Sequence, residues 1–177
     1  MNIFVLDLDQ KLAAEYHCDK HIIKMVTETA QILSTVLTHY KTVFVDTKSM
    51  LYKPTHVHHP CTKWAAQEIT HFVWTVDLLD ALINEYDYRF GKPHRYESAR
   101  RILKTCKAVV PNSESIDKPR YYSFAGPDTV VKEVTGNYIT SRYYPPNITV
   151  ELYRNYYKNH KKHLHKWTKR ETPNWIE

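Results

Sequence analysis

The stretch His17-Cys18-Asp19-Lys20-His21-Ile22-Ile23-Lys24-Met25-Val26-Thr27-Glu28-Thr29-Ala30-Gln31 decides how this chain is read. It lies in a longer run, Gln10 to Tyr40, that holds no Gly and no Pro. Apolar residues recur there at Leu12, Ile22, Val26, Ala30, Leu33 and Leu37, mostly three or four apart. That spacing predicts one helix ending near His39 or Tyr40. His17, His21, Lys24, Glu28 and Gln31 keep the same rhythm on another side. Side chains three and four apart stand above one another on a helix, so these five are expected on one face. Such a line is either a wet surface or one wall of a site. Two imidazoles at i and i+4 are less usual on a solvated stripe than Lys, Glu or Gln.

Around this stretch the composition is that of a globular chain. Its 177 residues suffice for one buried core, and 42% hydrophobic and 13% aromatic content exclude a disordered polymer. Fourteen Tyr against three Gly suit interfaces and base stacking as well as cores. A formal charge of +6, with eleven His in reserve, favours acidic partners such as nucleic acid or nucleotides. Cys18, Cys61 and Cys106 are odd in number and far apart, so they imply neither a disulfide framework nor a four-thiolate metal site. The opening apolar run is too short and too acidic for a signal peptide, and no stretch approaches the length of a membrane span. A soluble, cytoplasmic, reduced protein is expected.

The chain in order predicts a mainly α, single-domain helical bundle. About four main helices are expected, with one or two short strands and a loop-rich segment near 111–149. Ile3 to Leu8 reads as a buried strand, and Asp9 as the cap of the helix that follows. Thr42 to Val45 suggests a second short strand. Pro60 is placed to open a helix running to Gly91, hydrophobic on nearly every side and therefore central to the core. Glu97 to Val109 reads as a basic helix stopped by Pro111. Val130, Val131 and Val134 fit either a strand or a helix. Val150 to Arg170 reads as a last helix, closed by Pro173.

Three groups carry chemistry. Thr55-His56-Val57-His58-His59-Pro60-Cys61 gathers three His and a Cys. With His17 and His21 they admit a transition-metal site, but no carboxylate is near and the spacing fits no zinc pattern. No cofactor is therefore expected, a metal at this His cluster being the lesser reading; otherwise one His caps the next helix. Tyr153 to Arg170 interleaves aromatic and basic residues, which serve base stacking and phosphate contact, with Tyr153, Tyr157, Leu164 and Trp167 also able to face the core. Lys24 between imidazoles can act as an imine-forming nucleophile, and Glu28 one turn on as acid/base or oxocarbenium stabiliser. The plain alternative is a surface ion pair worth a few tenths of a kcal/mol.

These residues also carry a resemblance. Met1-Asn2-Ile3-Phe4-Val5-Leu6-Asp7, His17-Cys18-Asp19-Lys20-His21, Lys53-Pro54-Thr55-His56, His59-Pro60-Cys61 and Tyr153-Arg154-Asn155-Tyr156-Tyr157 look like those of a family of small proteins from bacteriophages and large DNA viruses. The likeness spans nearly the whole chain and implies a protein of the infected cell. A weaker likeness is to the phage-type endonuclease V, a pyrimidine-dimer DNA glycosylase with lyase activity. Leu12-Ala13-Ala14 leading to His17 resembles the start of its first helix, one residue out of step, and Tyr153 to Tyr157 its closing segment. That enzyme attacks with an N-terminal amine after Met removal. Here Asn2 replaces a small second residue and Lys24 stands where its Glu would, so the amine's role is expected to pass to Lys24 or to be absent.

The reading that follows is a viral DNA-processing enzyme cleaving an N-glycosidic bond of a damaged or modified base. His17, His21, Lys24 and Glu28 are its expected catalytic residues. Asp19, Gln31, His56, His59, Trp64, Tyr156, Lys161, Lys162 and Trp167 are expected to bind substrate. The alternatives are a non-enzymatic basic module for nucleic acid or a host protein, and an enzyme of free nucleotides.

Overall fold

The computed structural model describes residues 1–40, 51–110, 116–137 and 141–176. Asp9 accepts the Leu12 N–H at 2.9 Å and starts α1 (Gln10–Tyr16), as its capping chemistry predicts. The chain then leaves helical geometry at His17 and Cys18, whose ψ values are 133° and 159°, and resumes as α2 (Asp19–Thr35), which closes in a π-helical turn over Val36–Tyr40. The single helix expected over Gln10 to Tyr40 is thus two. Neither Gly nor Pro makes the break. Buried Arg89 donates to the Glu15 and His17 carbonyls, and the Asp19 N–H donates to the Lys166 carbonyl, so tertiary partners replace the helical ones.

A second break divides the Pro60–Gly91 segment. Pro60 opens α3 (Pro60–Gln67), Glu68 is extended, and α4 (Ile69–Phe90) follows. The Trp64 carbonyl, freed by that break, takes the His71 Nδ1–H at 2.8 Å. Gly91 ends α4 with φ at 59°, a conformation that costs glycine little. Helix α4 packs against α1, α2, α3 and the basic helix α5 (Glu97–Lys107), and is the central element. It buries Phe72, Trp74, Val76, Leu78, Leu79, Leu82 and Ile83, each contributing about 1.5–3 kcal/mol by burial.

Within the loop-rich quarter, β1 (Tyr122–Ser123) pairs antiparallel with β2 (Tyr143–Tyr144), and Val130 and Val131 sit in α6 (Asp128–Thr135), which resolves the strand-or-helix alternative as helix. Helix α7 (Pro146–His160) ends ten residues before the expected Arg170. Short 3-10 turns at Lys162–Leu164 and Asn174–Ile176 belong to a tail that crosses the start of α2. Asp19 draws it there, accepting the Thr168 N–H at 2.9 Å and the Thr168 hydroxyl at 2.7 Å.

Ile3 to Leu6 is buried, as expected of a strand, yet forms none. The Asn2 carboxamide accepts the Ile3 N–H at 2.8 Å, and Phe4 takes φ of 37°, so the segment turns and offers no ladder edge. The strand expected at Thr42 to Val45 and the stop at Pro111 lie outside the described residues. The fold is mainly α, and no helix among the described residues is long and apolar enough to cross a membrane.

Candidate functional site

The solvent-facing stripe of α2 carries exposed Lys20, Ile23 and Lys24, then half-buried Thr27, Glu28 and Gln31. Against it lies the segment from Met1 to Phe4. The Glu28 carboxylate accepts the Asn2 N–H at 3.0 Å and stands 3.8 Å from the Met1 α-amine, while the Lys24 ammonium reaches its other oxygen at 3.2 Å. One carboxylate therefore holds two amines. The Lys24 side chain is 64% exposed, that of Glu28 12% and that of Met1 2%. Met1 as a whole is only half-buried, so the exposure it keeps belongs to its main chain, the amine end.

Asn2 anchors this arrangement. Its Nδ2 donates to the Ala125 carbonyl at 2.9 Å, and its Oδ1 accepts the Tyr153 hydroxyl at 2.7 Å. The thiol of Cys61 approaches the same oxygen at 3.6 Å. Phe4, next in line, stacks on His21 with ring centroids 4.6 Å apart and approaches Tyr156 and Tyr157. Positive φ at a bulky residue costs about 1–3 kcal/mol and persists only where packing enforces it. Here five aromatic contacts do so. His56 also has positive φ, 49°, and shapes the loop that brings His59 to the site.

His59 is the N-cap of α3, its Nδ1 accepting the Cys61 N–H at 3.2 Å. The neutral ring therefore carries its proton on Nε2. Burial, then the Met1 amine, then His56 push its pKa down to about 4. It stands as a neutral imidazole beside the amine and Glu28.

The expected five-residue face is not one face. His17 lies in the break between α1 and α2, fully buried, with Nδ1 donating to the Ala13 carbonyl at 2.6 Å and burial pushing its pKa down to about 4. His21 is buried under Phe4, its Nδ1 on the Tyr157 hydroxyl. Burial first, then the charges of His17, Lys161, Lys24 and His163, lower it to about 3. Neither imidazole is placed to exchange protons with substrate. The structure brings together Lys24, Glu28 and His59, with exposed His56 close by. Beyond Phe4 it adds Tyr156, with the Lys161 ammonium 4.8 Å from its ring centroid. Lys162 is exposed at the start of the tail, and Gln31 is half-buried one turn past Glu28.

Three expected binding residues are interior. Trp64 is fully buried and donates to the Tyr121 carbonyl at 2.8 Å; Trp167 donates to the Tyr16 carbonyl at 3.0 Å; Asp19 is tied to Arg89 and Thr168. Each reads as an aromatic or acidic contact surface in sequence because nothing local reveals burial by a distant segment. What sequence reasoning missed is the docking of the Met1–Phe4 segment against Glu28, with Asn2 and Phe4 as its anchors. The available signal was a carboxamide leading an otherwise apolar run.

Among the described residues no three His, Cys, Asp or Glu side chains converge as metal ligands. Clefts of about 570 and 530 Å³ lie elsewhere, one lined by Asp7, Arg154, Asn155 and Trp175, the other by Glu15, Asp77, Asp80 and Arg170. No family model, curated protein or solved structure matches the chain.

Proposed function

We propose that this protein is a DNA-processing enzyme that cleaves the N-glycosidic bond of a damaged or modified base, with Lys24 and Glu28 at its reacting centre. The observation that carries this is a single, largely buried carboxylate shared by two amines, with a neutral imidazole beside it. The Lys24 amine lone pair forms a bond to the sugar C1′ as the C1′–base bond breaks and the base leaves with the bonding electrons. The proton lost by the attacking nitrogen is the one the base gains, and Glu28 is placed to relay it. Opening of the sugar ring then gives an imine. Glu28 also opposes the positive charge that develops at C1′, and neutral His59 adds none of its own. The Asn2 N–H, on the same carboxylate, holds Glu28 in place. Tyr156, Lys161 and Lys162 offer a stacking ring and two phosphate contacts on the flank. The likeness of the opening and closing segments to viral and phage proteins supports a role in an infected cell.

Base release from ultraviolet-irradiated, oxidised and alkylated duplex DNA, followed by mass spectrometry, tests the reading. At least one duplex should lose a base, and Glu28→Gln should slow that release about 10²–10⁴-fold. Absence of release from every duplex, or release indifferent to Glu28→Gln, would contradict it.

A further inference from the structure

Basic side chains that the reacting centre does not use collect on the turn after α4 and on α5. The 3-10 turn Pro93–Tyr96 is fastened to α2 by the Tyr96 hydroxyl, which donates to the Ile23 carbonyl one residue before Lys24. Tyr96 carries the Arg95 guanidinium 5.9 Å from its ring centroid, so this charge stands beside the α2 stripe. From there α5 leads away with Ala99, Ile102, Leu103 and Cys106 buried, and Arg101 and Lys104 exposed. Arg100 is paired with Asp87 and Lys107 with Asp80. Lys92, Arg95, Arg101 and Lys104 have no carboxylate within 4 Å among the described residues, and Glu97 is the only acid between Lys92 and Lys107.

We infer that this turn and the outer face of α5 form a second phosphate-binding wall. Together with Lys161 and Lys162 across the α2 stripe, it seats the backbone of a DNA duplex over Glu28. The inference rests on the proposed function and narrows its substrate to polymeric DNA. Charge complementarity selects this occupant, and reach excludes a mononucleotide. Arg101 and Lys104 alone are separated by about 4.5 Å of helix rise, and Arg95 precedes them by more than another turn. One strand presents a phosphate about every 3.4 Å of its axis, so the wall meets several consecutive phosphates at once. Exposed Ile23 lies between the two walls, where it adds apolar contact without competing for charge.

The test is fluorescence anisotropy with a labelled 21-base-pair duplex carrying a tetrahydrofuran abasic analogue, titrated over a range of salt. The full chain is compared with Arg95→Ala/Arg101→Ala/Lys104→Ala, and with Lys11→Ala/Lys118→Ala/Lys132→Ala, which removes equal charge elsewhere. The first variant should bind at least tenfold more weakly, and its slope of log affinity against log salt should fall by about 2–3. The second should change the slope by less than about 1. Equal effects of the two variants, or an unchanged slope in the first, overturn the inference. So does an equal affinity for single-stranded RNA that responds identically. Base release by the unaltered protein is a separate measurement: its absence would remove the proposed chemistry while leaving a changed salt slope to support the wall.

Discussion

The Tyr153 hydroxyl donates to Asn2 Oδ1 at 2.7 Å, joining α7 to the second residue of the chain. Through it, the segment bearing the Met1 amine is held by a helix remote in sequence. The same hydroxyl accepts the Ala125 N–H at 3.1 Å, and Asn2 accepts the Ile3 N–H. Tyr153→Phe takes the acceptor from the Ala125 N–H and the donor shared by the Asn2 and Ser123 oxygens, so it should cost about 1–3 kcal/mol in urea denaturation. Asn2→Ala should cost a similar amount. Asn2→Ala should also reduce base release by more than its loss of folded protein explains. A cost below about 0.5 kcal/mol for both would show that this junction does not position the segment.

Much of the architecture was legible in sequence because it rests on local chemistry. The Asp9 cap, the Pro60 start, the Gly91 stop and the all-round apolar α4 each follow from residue type and period. The break at His17–Cys18 was not legible, since its alternative hydrogen-bond partners, Arg89 and Lys166, sit far along the chain; at Glu68 the partner, His71, is local but reads in sequence as one more helical position. For the same reason the site was half legible. Lys24 and Glu28 lie at i and i+4 and are adjacent whatever else happens, whereas His17 was read into a face that the break removes. Trp64 and Trp167 look like stacking platforms until the core is assembled around them.

Arg89 holds the first break together. Its guanidinium pairs with Glu85 at 2.6 Å and Asp19 at 3.1 Å and caps the Glu15 and His17 carbonyls. Arg89→Met leaves Glu85 to Arg170 alone and Asp19 to Thr168 alone, strips the donor from two carbonyls, and should destabilise by about 3–5 kcal/mol. Arg89→Lys should recover little, because a point charge cannot reproduce the fork. Denaturation of both variants at neutral pH measures this; near-full stability in Arg89→Lys would count against the network.

Stability should fall with acid over a defined window. His17 and His21 titrate at about 4 and about 3 in the fold, against 6.5 when free. Between those values the unfolded chain binds more protons than the folded one, so stability rises with pH. It is fully present above about pH 6.5 and is lost as pH falls toward 4, by several kcal/mol between the two residues. His21→Phe should flatten that slope in urea titrations run from pH 7 to 4. An equally steep slope in the variant would assign the acid sensitivity elsewhere.

The central claim is most directly tested by borohydride trapping. The protein is incubated with a duplex containing an abasic site, reduced, digested, and its peptides sequenced by mass spectrometry. The account predicts one reduced sugar adduct, on the Lys24 nitrogen, lost in Lys24→Ala. An adduct on another nitrogen that persists in Lys24→Ala, or none at all under conditions where the protein binds the duplex, would contradict it.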